Sequence, residues 1–426
     1  MQNSGRLQAA IEILDEVLNR KRPASEALKD WGKAHRFAGS TDRHAIGTLV
    51  YDALRTRNSS AAQAGDDTAR AICLGVLRRQ WGESVDGIAT LCSGPHGPGA
   101  LTAAERVALA ADLKDMPAHV AGDFPEWMTP LFSRVIGADA PVELAALARR
   151  APIDLRVNSL KATREDVLQR LARFGAVAGP WSPLAIRIAA PGPEQKHISV
   201  EAEPAHGLGL FEVQDAASQV AALLSGAKPG ETIADVCAGA GGKTLALAAL
   251  MQNQGRLVAH DEDRRRLRPI FERLMRAGVT CVDVLAAEQG IAAGQLFDRV
   301  VIDAPCTGTG AWRRKPDSKW KLTRKTLDQR MADQREVLQS AAGKVKPGGH
   351  LIYITCSILA EENTDQVSWF LAGHPAFKII PTAEQWARTI GGAAPASADG
   401  SQETLVLTPR RHDVDGFFVA VMQKRS

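Results

Sequence analysis

Leu7, Ile11, Leu14 and Leu18 recur at intervals of three and four residues, which predicts an amphipathic helix that stops before Pro23. Ile46, Leu49, Val50 and Leu54 repeat the pattern behind the capping-type cluster Ser40-Thr41-Asp42, and further helical stretches are predicted near 66–81 and 102–114. Gly94-Pro-His-Gly-Pro-Gly99 is a turn-rich loop among them. Residues 1–140 therefore read as an all-α domain.

The periodicity changes after the 137–152 stretch. Ile153-Asp-Leu-Arg-Val157 and Leu184-Ala-Ile-Arg-Ile188 alternate like strands, and Thr163-Arg-Glu-Asp166 reads as a helix start with an acid three residues on. This predicts a small α+β subdomain over 141–210. The Pro/Gly-rich run Ala190 to Pro193 separates it from Val213-Gln-Asp-Ala-Ala-Ser-Gln219, where a helix leads on toward a glycine cluster. From Thr232 onward strand candidates at 232–236, 256–260, 279–284, 298–303 and 350–355 alternate with helical stretches, which predicts an α/β domain with a mostly parallel sheet over 211–426. Segments 404–407 and 417–422 follow a Gly/Ala/Ser loop and are expected to form a terminal antiparallel pair.

Composition changes this picture little. A chain of 426 residues with 45% hydrophobic and 23% charged residues is that of a globular protein of two or three domains. The first helix carries acids and the apolar Thr244 to Met251 run is too short to span a bilayer, so the default is a cytoplasmic protein without a membrane partner. The six cysteines include no C-x-x-C pair, which points away from a metal site and toward reduced thiols. Residues 1–140 hold 16 Lys+Arg against 17 Asp+Glu, so the positive excess behind the net charge of +4 lies in the remainder of the chain.

The candidate chemistry begins at Asp235-Val-Cys-Ala-Gly-Ala-Gly-Gly-Lys-Thr244, between a predicted strand and a predicted helix. That placement brings main-chain N–H groups and a helix N-terminus to a ligand. The run misses a dinucleotide fingerprint by Thr244 and a Walker A loop by Cys237, so by itself it leaves open an adenosine cofactor, a degenerate P-loop or a structural turn. In an open α/β sheet, ligands bind beyond the carboxyl ends of the strands. Those ends carry Asp235, Asp261, Asp283, Asp303-Ala-Pro-Cys306 and Thr355-Cys-Ser357. An acid ending the second strand suits ribose hydroxyls, and a site lined with Asp261, Asp283 and Asp303 tolerates a sulfonium cation better than phosphates. Cys306 and Cys356 would end neighbouring strands, placed for nucleophilic work, and nearby positive charge would favour their thiolates. Arg313, Arg314, Lys315, Lys319, Lys321, Arg324 and Lys325, with Trp312 and Trp320 interleaved, read either as a nucleic-acid surface or as a solvated charged helix.

Three motifs together resemble the RNA cytosine-5 methyltransferases of the RsmB/Sun type. They are the glycine run 235–244, Asp303-Ala-Pro-Cys-Thr-Gly-Thr-Gly310 with Arg313-Arg-Lys-Pro-Asp-Ser-Lys-Trp320, and Thr355-Cys-Ser-Ile-Leu-Ala-Glu-Glu-Asn363. The likeness extends to Leu155-Arg-Val-Asn-Ser-Leu-Lys161, Val213 to Gln219 and Asp415-Gly-Phe-Phe418, while Leu14 to Leu18, Asp42-Arg43 and Leu49 to Arg55 resemble a NusB-like RNA-binding domain. The resemblance implies a Rossmann-like methyltransferase domain that uses S-adenosyl-L-methionine. It implies that Cys237, Ala238, Gly239, Ala240, Gly241, Gly242 and Lys243 cradle this cofactor, that Asp261 holds its ribose, and that Asp283 lies beside the adenine. Asp303 would sit between cofactor and cytosine, Cys356 would be the nucleophile and Cys306 would assist product release. The implied substrate is RNA, small-subunit rRNA first and tRNA second, and a monomer is favoured. Ala240 stands where the family often has proline, and Ala311-Trp312 where it has a small or aliphatic pair.

Overall fold

The computed structural model describes residues 1–192 and 198–426. The chain divides into two compact units, one made of Met1–Arg150, Pro191–Ile198 and Trp312–Leu322, the other of Ala151–Ala190, Ser199–Ala311 and Thr323–Ser426.

The first unit is helical. Helices Asn3–Arg20, Ser40–Arg55 and Ala69–Arg79 turn the predicted apolar stripes inward, and Leu7, Leu14, Val50, Leu54, Ile72 and Leu74 form its core. The cap of the second of these is Gly39, not the Ser-Thr-Asp cluster. Asp42 sits in the first turn, where its carboxylate accepts the Gly39 N–H (3.1 Å) and pairs with Arg6 (2.7 Å) and the chain's N-terminal ammonium (3.2 Å). Trp312–Leu322 belongs to this helical core, although it lies in sequence between strands of the other unit. The boundary expected at residue 140 falls at the first residue of helix Ala140–Leu147.

The second unit holds two sheets. The smaller is antiparallel with order β2-β3-β1-β4, made of β1 (Ile153–Val157), β2 (Val177–Ala178), β3 (Ala185–Ile188) and β4 (Phe211–Val213). Thr163 caps helix Arg164–Leu171 through a capping box with Asp166, as its sequence implies. The expected 210 boundary falls directly before β4, which pairs with β1. Of the expected Ala190–Pro193 separator, Pro193 lies outside the described residues.

The larger sheet has the order β10-β12-β9-β8-β5-β6-β7, with β11 paired on β12. Its parallel part is β5 (Thr232–Asp235), β6 (Arg256–Ala259), β7 (Val282–Val284), β8 (Phe297–Asp303) and β9 (Val345–Thr355). The tail adds β10 (Phe377–Ile380), β11 (Leu405–Leu407) and β12 (Phe417–Lys424), all antiparallel, so the expected terminal pair forms. β10 had no clear strand pattern in the sequence. β7 is shorter than the expected 279–284 because the N–H groups of Val279 and Thr280 go elsewhere, to Leu274 O (3.0 Å) and Asn253 Oδ1 (3.1 Å). The chain leaves β5 toward β6 and β7 on one side and returns to β8 and β9 on the other. The crevice beyond β5 and β8 is thus the switch point at which such sheets bind ligands.

Candidate active site

The glycine run leaves β5 and enters helix Gly242–Leu250. Its main chain is pinned by neighbours: Ala238 N–H donates to His260 O (2.9 Å) and Gly239 N–H to Asp261 Oδ2 (2.9 Å). Gly241, at φ +83°, has no room for a side chain, since a Cβ there would lie 2.5 Å from Ile270 Cγ1. Ala240, where proline was the family's habit, has its carbonyl held by Arg273 Nη1 (2.7 Å), which ties down the loop at that residue. The small sheet braces it through one residue. Arg156 of β1, buried, donates to Gly242 O (2.7 Å) and to the Gln214 side chain, and burial lowers its guanidinium to about 10.

Three carboxylates surround the loop. Asp261 is buried, accepts from Gly239 and Asp263 (2.9 Å each) and lies 3.4 Å from Arg266. Asp303, at the end of β8, pairs with Lys243 Nζ at 2.8 Å, which commits that lysine to an acid within the protein. Asp235 is wholly buried. Thr244 Oγ1 donates to its Oδ2 (2.8 Å), but its Oδ1 has no partner, and burial pushes its carboxyl up to about 7. Burial also raises the Cys237 thiol, reinforced by the charges of Asp235, Asp303 and Asp261. Next to this group lies a cavity of about 340 Å³ lined by Cys237, Asp261, Asp263, Arg266, Pro305 and Asp333, among others.

Asp283 does not join them. It sits mid-strand in β7, opposite Val258, and its exposed carboxylate is spent on Arg256 Nε at 2.6 Å. The alternation of side chains along the strand decides this: a residue inside β7, and not beyond its end, points to a face of the sheet.

Cys306 and Cys356 meet. β8 and β9 are parallel neighbours, and the two Sγ atoms are 3.4 Å apart. The Cys306 thiol is pushed well up by its hydrogen bond with Cys356 and by burial, with the Cys356 and Glu362 charges adding to these. The expected stabilising cation is not what acts on it. Gly310 N–H donates to Cys356 O (2.9 Å), and Gly416 packs on Gly310 so closely that a Cβ on Gly416 would lie 2.4 Å from Gly310 Cα, which gives the Asp415-Gly-Phe-Phe418 motif its glycine.

The basic–aromatic stretch corrects the sequence reading most sharply. Trp312, Arg313 and Lys319 are only 1%, 4% and 1% exposed, all within the helical unit. Lys319 Nζ donates to Arg55 O (2.8 Å) beneath the Trp320 ring, Trp320 Nε1 to Leu54 O (2.6 Å), and Trp312 meets Phe132 edge-on at 5.8 Å. Both readings, nucleic-acid surface and solvated face, therefore fail for Trp312, Arg313 and Lys319, which are core, while Lys315, Arg324 and Lys325 are exposed. Sequence reasoning singled out neither Glu362 nor Arg156 for a role, because only their positions in the tertiary structure show what they hold.

A glycine loop at the switch point, ringed by acids and with an unpartnered buried carboxylate oxygen, fits a cationic methyl donor and not a polyphosphate. The fold and site define the class: a Rossmann-like methyltransferase dependent on S-adenosylmethionine. Residues 222–423 match the family described as 16S rRNA methyltransferase RsmB/F, and residues 124–195 match the ferredoxin-like domain of RsmF/B-like methyltransferases. The small subunit methyltransferase B of Vibrio vulnificus is 32% identical over 357 residues, covering 81% of this chain and 78% of that protein. A solved structure of the protein PH0851 superposes with a TM-score of 0.73 at 26% identity, covering 100% and 99% of the two chains. NSun6 from Pyrococcus horikoshii, solved with SFG, shares the fold at a TM-score of 0.63 and 21% identity, over 71% of this chain and 99% of that one. The chain belongs to the RsmB/F family of RNA methyltransferases. Among the described residues no helix is long and apolar enough to cross a membrane.

Proposed function

We propose that this protein methylates carbon 5 of cytosine in RNA, with small-subunit rRNA as its substrate, through a covalent bond between Cys356 and carbon 6. The observation that carries the reading is the pair of thiols 3.4 Å apart at the ends of adjacent parallel strands, beside Asp303. The names of the relatives favour 16S rRNA over tRNA.

In this reading residues 237–243, with Asp235 and Asp261, hold S-adenosylmethionine, which when bound supplies an electrophilic methyl group. Carbon 5 of cytosine is a poor nucleophile. The Cys356 thiolate adds to carbon 6 and makes carbon 5 electron-rich, while Asp303 hydrogen-bonds ring N3 to stabilise the charge that develops there. The Cys306 and Cys356 sulfurs lie within hydrogen-bond distance, so Cys306 is a proton-transfer group beside the C6–S bond. After carbon 5 takes the methyl group, its proton passes to solvent, the freed C–H electron pair restores the C5–C6 double bond, and the C6–S bond breaks with its pair leaving on the Cys356 sulfur, where the Cys306 S–H assists release by supplying a proton. The target base reaches the thiol only when turned out of its stack.

The test is transfer of labelled methyl to 16S rRNA, followed on denaturing gels. Cys356→Ala is expected to lose at least about 10⁴-fold in rate and to form no adduct. Cys306→Ala is expected to accumulate a covalent protein–RNA species. The reverse pattern overturns the roles, and methylation at a position other than carbon 5 overturns the reaction.

A further inference from the structure

We propose that the adjacent residues Glu362 and Asn363 are a single positioning device for both thiols, Glu362 holding the turn that carries Cys306 and Asn363 the turn that carries Cys356. The proposal deepens the reading above and rests on it.

Both side chains are buried, at 0% and 1% exposure, at the end of a one-turn helix, Ala360–Glu362, that leads into helix Thr364–Gly373. Glu362 Oε1 accepts the Thr307 N–H (2.8 Å) and the Gln334 Nε2–H (3.1 Å), and its Oε2 accepts the Thr307 hydroxyl. The same Gln334 amide donates to Pro305 O at 2.9 Å. The residues on both sides of Cys306 are thereby tied to one carboxylate. Tyr353 O–H, from within β9, donates to the Glu362 carbonyl (2.7 Å) and fixes the carboxylate's own backbone.

Asn363 performs the matching task one residue on. Its Oδ1 accepts the Thr355 hydroxyl (2.6 Å) and its Nδ2 donates to Ser357 O (2.9 Å), so the residues on both sides of Cys356 are tied to one amide. Because the two side chains leave consecutive backbone positions, they tie both cysteine turns to a single peptide unit, in addition to the direct links Gly310 N–H to Cys356 O (2.9 Å) and Ile358 N–H to Thr309 Oγ1 (3.0 Å). Together with the parallel register these ties hold the sulfurs 3.4 Å apart.

Burying a carboxylate is expensive, and a turn needing only stability would be served by apolar residues. Burial raises the Glu362 carboxyl, and the Glu362 charge in turn adds to the forces that keep Cys306 a thiol.

The experiment uses the full chain, labelled S-adenosylmethionine and 16S rRNA, reading both methyl transfer and the fraction of protein held as covalent adduct, with Cys306→Ala and Cys356→Ala alongside. Glu362→Ala is expected to form the adduct but release it about 100-fold more slowly, so adduct accumulates. Glu362→Gln, which keeps the shape and an oxygen for the Thr307 N–H, is expected to restore release to within about 3-fold of the parent. Asn363→Ala is expected to slow adduct formation about 100-fold and to accumulate none. Equal loss of both steps in the two alanine variants, or no rescue by Glu362→Gln, overturns the proposal. Should the alanine variants not fold, Thr307→Val and Asn363→Asp decide: adduct that rises in the first and falls in the second supports it, and the same change in both overturns it. If Cys306→Ala itself traps no adduct, the reaction proposed above fails; if it traps adduct and Glu362→Ala does not, only the positioning role fails.

Discussion

Residues 304–311 and 312–322 are consecutive in the chain and equally rich in suggestive side chains, yet they meet opposite fates. The first segment carries Cys306 to a parallel neighbour's Cys356 and is held there by buried polar groups. The second sends Trp312, Arg313 and Lys319 into the core of the helical unit and leaves Lys315 exposed. The difference is one of geometry. A cysteine at the end of a parallel strand inherits its place from the sheet, whose register is set by hydrogen bonds that any such sequence makes. A basic–aromatic run has no such template: a lysine's alkyl stem and a tryptophan's ring pack inward wherever a partner carbonyl or ring awaits the polar end.

The contrast can be broken most forcefully at Trp312. If that segment is core, Trp312→Ala should destabilise the helical unit by about 3–5 kcal/mol, measured by denaturant unfolding with hydrogen-exchange protection of residues 1–150 as the local probe. A nucleic-acid contact would lose RNA affinity with protection unchanged.

Lys319 sharpens the same point through pH. Burial lowers its ammonium from the ordinary 10.5 to about 8, with Asp123 opposing that shift and Arg55 adding to it. The folded state therefore disfavours the cation, so the penalty is complete below about 8 and is relieved as pH rises from there toward 10.5. The helical unit should gain up to about 3 kcal/mol across that window, and Lys319→Met should flatten the gain. A parent protein whose stability does not rise with pH would show Lys319 to be solvated.

On the cysteine side of the comparison, Asp235 offers a smaller effect. Its carboxyl, raised to about 7 by burial, favours the protonated form in the fold, a stability contribution present below the usual carboxylate range and lost as pH rises through about 7. A bound cation favours the ionised form. S-adenosylmethionine affinity should accordingly rise about 10-fold between roughly pH 6 and 8, with proton release on binding near neutral pH, and Asp235→Asn should abolish both. Calorimetry in two buffers of different ionisation enthalpy reads the proton directly.

The smallest expected change is at Asp283. Because its carboxylate is exposed and spent on Arg256, Asp283→Asn should alter cofactor affinity by less than about 0.5 kcal/mol. A larger loss in the same calorimetric titration would restore the adenine-side role that its sequence position suggested.

How much of this was legible beforehand follows from the same distinction. The apolar stripes of helices Asn3–Arg20 and Ser40–Arg55, the parallel strands from β5 to β9 and the terminal antiparallel pair were readable because period and turn chemistry are local properties. The meeting of Cys306 and Cys356 was readable because strand ends in a parallel sheet share one edge. β10 was not, having no clear alternation and depending on β12 for its partner.

By itself, then, the order of residues determined the layered α/β plan, the glycine loop at its switch point and the pairing of two thiols, since each follows from backbone hydrogen bonding and side-chain periodicity. Only the tertiary structure decided that Asp283 is spent on Arg256, that Lys319 and Trp312 are core, and that Glu362 and Asn363 grip the two cysteine turns. Those outcomes depend on which distant group reaches a buried polar atom first, and no local pattern encodes that.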